Sequence, residues 1–378
     1  MYPASNAFHA AVANGNKQIA LLIFQDAFFS NEDIDIEKGI EFNDYFNTQE
    51  DLAIGQALSN EISFTIFNDN RDLNNYAFGD FIATLGVQLT TAPYTETANC
   101  SAAIGRDTYT GYSTSPYIRK NGSALNGQPN FAVRNILVYD NAVYAFGSNG
   151  RCKKWVDGTP TEFTLNAFMT RKTAKWSGKG YSFNSQTRIM TERDGTNEKL
   201  YEFVPLGTFI ADRPNVPDVL MIDFNCNDLM MKLDKDMPTK SQLGVSYPTT
   251  IGALFTKVCQ YFHVPYETNT FINSGAAIAK EPEEFKNATA RTVIGWIAEA
   301  AASNARFSRD GKLVMDWVRN SGMVLDEANY SEFRPYWYET TTVNRIKNRD
   351  TQGSAEKEYG SGQNIYLIQD NPLLKGFT

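Results

Sequence analysis

At 378 residues, 42% apolar and 21% charged with no low-complexity tract, the chain excludes a disordered protein and predicts roughly two to four folding units. A net charge of −8 excludes general attraction to nucleic acid or to an anionic membrane. The opening Met1-Tyr2-Pro3-Ala4-Ser5 lacks a basic segment, and the apolar run Ile19 to Phe24 is too short for a signal core or a membrane span, so cytoplasmic synthesis is expected.

Aromatic residues make up 13% of the chain and alternate with β-branched ones, which favours antiparallel sheet. Ser5 predicts a short helix carrying Phe8, Ala11 and Val12 and ending at Asn14-Gly15. Strands are predicted at Gln18 to Phe24, at Asp33 to Ile36 and at Glu61 to Phe67, where Ile62, Phe64 and Ile66 share one face. Asn68-Asp69-Asn70 supplies a turn, and Phe81, Ala83, Leu85, Val87 and Leu89 alternate in a further strand. From Thr91 to Gly127 the composition becomes turn and loop material, followed by hairpin signals at Asp140-Asn141 and Ser148-Asn149-Gly150. This predicts a β-rich insertion over 91–190, an added lobe that the preceding domain does not need. Strands resume around Tyr201 to Gly207 and Val219 to Phe224. Thr249 or Thr250 then caps a helix whose apolar face is Ile251, Leu254, Phe255, Val258, Cys259 and Phe262. A second helix starts near Thr289, buries Val293, Ile294, Ile297, Ala300 and Ala301, and stops at Ser303-Asn304. The two helices are expected to pack together beside a sheet. Asp310-Gly311 predicts a type I′ hairpin turn between Ala305 and Met315.

Chemistry-bearing patterns are sparse. Cys100, Cys152, Cys226 and Cys259 show neither zinc spacing nor a disulfide framework, and His9 and His263 have no triad or metal partners spaced with them. GxSxG, HExxH and P-loop motifs are missing, so no catalytic, metal or cofactor-binding residue and no cofactor is expected. Charge is unevenly placed: Asp26 to Glu61 holds ten acids and one lysine, whereas Arg151 to Lys179 holds seven bases and two acids. Asp33, Asp35, Glu37 and Glu41 could contain a glycosidase pair, but a solvated face or a pore lining is the reading favoured; Asp33, Asp35 and Glu37 are the candidate lumen-facing acids. Arg151, Lys153, Lys154, Trp155, Lys172, Lys175 and Trp176 form a candidate patch for an anionic or sugar polymer. The competing reading places the aromatics in the core and the lysines in solvent.

A resemblance emerges from the order of short motifs. Val204-Pro205-Leu206-Gly207-Thr208-Phe209 is followed by Asn225-Cys226-Asn227-Asp228-Leu229-Met230-Met231-Lys232-Leu233-Asp234 and then by Tyr247-Pro248-Thr249-Thr250. Thr289-Ala290-Arg291, Ile297-Ala298-Glu299 and Asp310-Gly311-Lys312-Leu313 come next, and the chain opens on Met1 to Phe8 with Ala57 to Ile62 downstream. Together these resemble the tail-associated hub proteins of phages and prophages of Gram-positive bacteria, which are similar in fold to the central baseplate hub of contractile phages. The match is poorest over 91–190.

The resemblance implies two related β-barrel domains with an intervening α/β portion; together with the β-rich insertion read from composition, the expected fold is mainly β with an α+β part, comprising two related β-barrel domains, the insertion and a small helical α/β subdomain. The expected division is 1–90 plus about 191–215 for the first barrel and 91–190 for the insertion. The second barrel takes 216–235 plus about 305–378, and the helical subdomain 236–304. It also implies a non-enzymatic homotrimer at the virion tail tip, assembled in the host cytoplasm. Its partners would be a hexameric distal tail or tube protein, the tape measure protein and a fibre or cell-wall hydrolase module, with only transient contact with DNA. The alternatives from other classes are a cell-surface carbohydrate-binding or receptor-binding module and a polysaccharide hydrolase.

Overall fold

The alternating runs do form strands. The computed structural model describes residues 4–24, 28–45, 54–74, 76–93, 99–104, 106–139, 142–147, 151–164, 180–184, 188–193, 197–211, 215–218, 220–268, 271–316, 345–349, 357–363 and 365–374. The described residues are mainly β, 46% strand against 16% helix, so sheets set the frame. Among the described residues no sheet closes into a barrel. The chain divides into two compact units. The first comprises Met1–Gly39, Phe64–Leu206 and Arg213–Phe224, and the second Ile40–Ser63, Gly207–Asp212 and Asn225–Thr378. Three of the changes of unit fall inside strands, at Glu61–Phe67, Asn197–Ile210 and Met221–Asp228.

In the first unit, helix α1 (Asn6–Ala13) begins where the Ser5 hydroxyl accepts from the Phe8 N–H at 3.0 Å, satisfying one of the donors a helix start leaves open. Phe8 and Ala11 bury against Val87 and Val204, while Val12 is exposed. Gln18–Phe24 pairs antiparallel with Asp80–Pro93, Leu22 opposite Ala83, and on its other edge with Phe28–Ser30. Period-two alternation sends Phe24, Phe64 and Phe81 inwards with Phe29, Phe78 and Phe224. Phe24 stacks on Phe81 at 4.7 Å and Phe64 on Phe224 at 4.8 Å. Such ring pairs contribute about 0.5–1.5 kcal/mol beyond their burial.

Two expectations for this unit are corrected. Asp33 to Ile36 is not a strand: Asn31 to Asp33 forms a turn, and Ile34 makes a single bridge to Ile66. The cause is local competition for backbone donors, since the Asp33 carboxylate accepts from the Ser30 N–H at 2.8 Å and Asp35 from the Glu37 N–H at 3.1 Å. Residues 91–127, read as loop material, instead contain a four-stranded antiparallel meander of Cys100–Ile104, Asp107–Gly111, Ile118–Lys120 and Ser123–Ala124. Its threonines and tyrosines are good strand formers on a half-buried surface. Cys100, Tyr109 and Ile118 pack there on Phe131, Val133, Val143 and Trp155.

The larger sheet of this unit runs Thr159–Thr164, Arg151–Val156, Ala142–Gly147, Val133–Tyr139, Gly180–Asn184, Ile189–Arg193 and Asn197–Ile210 in spatial order. All neighbours are antiparallel except Val133–Tyr139 with Gly180–Asn184. Tyr139 stands opposite Ala142, as a hairpin there requires, although Asp140-Asn141 and Ser148-Asn149-Gly150 lie outside the described residues. Because Ile189–Arg193 pairs with Asn197–Ile210, the expected insertion is continuous with the sheet of its host. Phe183 meets Phe203 edge-on at 5.7 Å. It is therefore part of this unit's core and not an added lobe.

The second unit holds the two helices of 11 residues. Thr250 caps α3 (Ile251–Tyr261) and Thr289 caps α4 (Ala290–Ala300); a one-turn helix, α2 (Lys240–Leu243), precedes them inside a Thr239/Gln242 capping box. The stripes Ile251, Leu254, Phe255, Val258, Cys259 and Val293, Ile294, Ile297, Ala300 share one core with Ala305, Phe307 and Leu313 of a hairpin, Asn304–Phe307 with Leu313–Asp316. The helices thus form a layer beside a sheet, as their single apolar faces require. Both end in a Schellman motif: Val264 N–H bonds Cys259 C=O and His263 N–H bonds Gln260 C=O, while Ser303 repeats this on Ala298 and Ala302 on Glu299. His263 (φ 52°) and Ala302 (φ 50°) occupy the left-handed position usually given to glycine.

The hairpin turn is not type I′, because only Gly311 of the Asp310-Gly311 pair has positive φ (72°). Gly311 N–H bonds Ser308 C=O and Ser308 N–H bonds Lys312 C=O, which makes a three-residue loop ending in a left-handed glycine. A three-stranded sheet, Lys357–Gly360, Arg345–Arg349 and Ile365–Gln369, follows. Residues 317–344 and 350–356 of the expected second barrel lie outside the described residues.

Candidate functional site

The three candidate lumen acids sit on one turn of the first unit but in different environments. Asp35 is buried, Asp33 half-buried and Glu37 exposed. The first two spend their carboxylates on the turn itself, so only Glu37 presents its charge outward. Lys38 bonds Asp223 at 3.3 Å, and the Thr65 hydroxyl donates to the same carboxylate at 2.6 Å. The Thr65 hydrogen bond first, and then Lys38, hold Asp223 below the usual carboxylate range. No group of three or more His, Cys, Asp or Glu able to hold a metal ion occurs among the described residues.

The basic patch is split by the pleat of Arg151–Val156. Trp155 is only 2% exposed, packs in the core beneath the meander and donates its indole N–H to the Asn126 carbonyl at 3.0 Å. Its ring is therefore closed to a sugar or a base. Arg151 and Lys154 are half-buried, lying over Phe131 at 5.7 Å and Tyr144 at 5.0 Å, and Lys153 reaches the Gln128 carbonyl at 3.3 Å. These cations are largely engaged by their own unit. Lys172, Lys175 and Trp176 lie outside the described residues.

The remaining sequence candidates are structural. All four cysteines are buried and unbridged; burial pushes the thiols of Cys100 and Cys226 up to about 12, and those of Cys152 and Cys259 higher. Such thiols are poor nucleophiles at neutral pH. His263 terminates α3 as described above.

Two sites were not read from the sequence. In the second unit, buried Asp228 caps the 3₁₀ turn Leu229–Leu233. Its carboxylate accepts from the N–H groups of Asn60 (2.9 Å) and Met230 (3.0 Å) and from the Ser59 hydroxyl (3.0 Å). Burial pushes this carboxyl up to about 6, against the pull of those bonds. In the first unit, a cavity of about 90 Å³ opens within the core made by Ile19, Leu21, Ile23, Phe183 and Tyr201. Its floor carries Glu192 (8% exposed) and Tyr201 (1% exposed). The Tyr201 hydroxyl donates to Glu192 at 3.3 Å, and Lys199 bonds the other carboxylate oxygen at 3.4 Å. Burial, and then the Glu192 charge, push the Tyr201 phenol upward, so it stays protonated and donating. Lys17 and Glu32 stand exposed among the lining residues. The pairing that assembles this floor, Met190 opposite Tyr201 and Glu192 opposite Lys199, joins residues on neighbouring strands whose register no local motif announces.

Compared with known proteins, the chain matches no family model, no curated protein and no solved structure.

Proposed function

We propose that this chain is a structural hub of a phage-type tail tip, a non-enzymatic homotrimer that docks on a hexameric tail ring, closes the tube and opens for genome passage. The observation that supports the reading is the interleaving of two units by strands that begin in one and end in the other, with a helical layer confined to the second. The resemblance implies a discontinuous plan of this kind, with an α/β portion between β domains. The neighbours in this reading are the tape measure protein and a fibre or cell-wall hydrolase module, with DNA passing transiently. The burial of Trp155 removes one of the two tryptophan rings on which the carbohydrate-binding alternative relied. The test is light scattering of the purified chain, followed by mixing with a hexameric distal tail or tube protein. A trimer that co-assembles with the hexamer is the expected result; a monomer that ignores it would overturn the hub reading.

A further inference from the structure

We infer that Asn126 is a site of spontaneous intramolecular deamidation, activated by the buried Trp155 indole that donates to the Asn126 carbonyl. The inference is independent of the hub reading, since it concerns one loop of the first unit.

The sequence contains four Asn-Gly pairs, at Asn14, Asn121, Asn126 and Asn149, the last outside the described residues. Such pairs are chemically labile because glycine, with no side chain, lets its backbone nitrogen approach the preceding side-chain amide. Asn14, Asn121 and Asn126 are all exposed, so access to water does not separate them. Hydrogen bonding does. The Gly15 N–H donates to the Val12 carbonyl at 3.0 Å, and a bonded N–H must open before it can lose its proton. The Asn121 amide is held at both ends, donating to Asp107 at 2.8 Å and accepting from the Thr108 N–H at 2.8 Å. At Asn126, neither the side-chain amide nor the following Gly127 N–H makes a hydrogen bond among the described residues.

Trp155 adds activation to this lack of protection. The Asn126 carbonyl and the Gly127 N–H belong to one conjugated peptide group, so the charge left when that N–H loses its proton spreads onto the carbonyl oxygen. The indole N–H already donates to this oxygen at 3.0 Å, and the ring is fixed in the core at 2% exposure. A preorganised donor at the atom where charge develops is the arrangement that stabilises oxyanions in acyl transfer.

In the reaction the deprotonated Gly127 nitrogen attacks the Asn126 Cγ; a C–N bond forms, the Cγ–Nδ2 bond breaks, and ammonia leaves with the proton. Water then opens the cyclic imide. Breaking the new bond gives aspartate, whereas breaking the bond to the original main-chain carbonyl gives isoaspartate, and no oxidant or reductant enters. Isoaspartate routes the main chain through Cβ and Cγ, and the carbonyl that met Trp155 becomes a carboxylate off the main chain.

The test is incubation of the folded full-length chain at mildly alkaline pH, with mass spectrometry following the replacement of NH2 by OH at each site. Tryptic cleavage after Lys120 and Arg134 leaves Asn121 and Asn126 on one peptide, so fragment ions assign the position. Asn126 should react at least about fivefold faster than Asn14 and Asn121, a ratio equivalent to about 1 kcal/mol of barrier. In the urea-unfolded chain the three rates should converge, because the hydrogen bonds that distinguish them are lost. Asn14 and Asn121 should be slower folded than unfolded, and Asn126 at least as fast. Trp155→Phe, checked for a cooperative thermal transition, should lower the ratio of the Asn126 rate to the Asn121 rate several-fold. The inference is overturned if Asn126 has no lead in the folded chain, if its lead persists unchanged in urea, or if it reacts more slowly folded than unfolded. An unchanged ratio in cooperatively melting Trp155→Phe likewise removes the activation by the indole.

Discussion

Asp228 shows how one buried carboxylate ties stability to pH. Its folded-state carboxyl titrates at about 6, above the roughly 3.9 of an unfolded aspartate, so the folded chain holds the proton more tightly. Stability from this group is therefore fully present below about pH 3.9 and is lost as pH rises through about 6, a change of about 3 kcal/mol. The measurement is urea denaturation of the wild type and Asp228→Asn between pH 4 and 7. The wild type should lose stability relative to the variant as pH rises, and parallel profiles would remove the effect from Asp228. A second residue-scale prediction concerns Ala302. Left-handed backbone costs a non-glycine residue roughly 1–2 kcal/mol, so Ala302→Gly should stabilise the second unit by about 1 kcal/mol, seen as a raised denaturation midpoint at unchanged slope. Residues whose roles are local were legible from the sequence, as Ser5 and the helix caps show. Asp228 and Tyr201 were not, because their partners Ser59, Asn60 and Glu192 reach them only through tertiary packing or strand register.

At the scale of elements, periodicity carried most of the fold. The two long helices and the strands Gln18–Phe24 and Glu61–Phe67 stand where their apolar spacing placed them, because one buried face imposes one period. The departures share a cause: residues with polar side chains close to the backbone. Asp33 and Asp35 satisfy neighbouring N–H groups and so turn a run with strand-like alternation into a loop, whereas threonine-rich 91–127 becomes sheet once Phe131 and Trp155 provide something to cover. The 305–315 hairpin permits a sharp test. Gly311 has φ of 72°, and a Cβ there would stand 2.5 Å from the Thr208 hydroxyl, so Gly311→Ala meets both backbone strain and a clash. A loss of about 1–3 kcal/mol is expected in thermal or urea denaturation; a loss under about 0.5 kcal/mol would mean that the turn relaxes without cost.

For the whole molecule, the division into units differs from what composition suggested. The base-rich stretch between 91 and 190 has the turn density of an added lobe, yet its strands from Val133 onward belong to the large sheet of the first unit, and Phe183 and Met190 pack in that unit's core. Replacing 91–190 by a short Gly/Ser bridge should therefore uncover Ile19, Leu21 and Phe203 and yield aggregated product by size-exclusion chromatography. A monodisperse, cooperatively melting product would show that the remaining strands close their own core. Composition missed this because strand pairing across a chain reversal leaves no mark in residue frequencies.

The interleaving also sets a timetable for synthesis. Ile40–Ser63 leaves the ribosome early, yet the bulk of the unit to which it belongs begins at Asn225, some ~160 residues later. At about 5–20 residues per second, that segment waits roughly ten to thirty seconds for its partners. Throughout that interval Leu58 and Ile62, both buried in the finished protein, have no completed core to enter. The first unit is in the same position until Phe224 has emerged, so the nascent chain stays in need of protection until well past its midpoint.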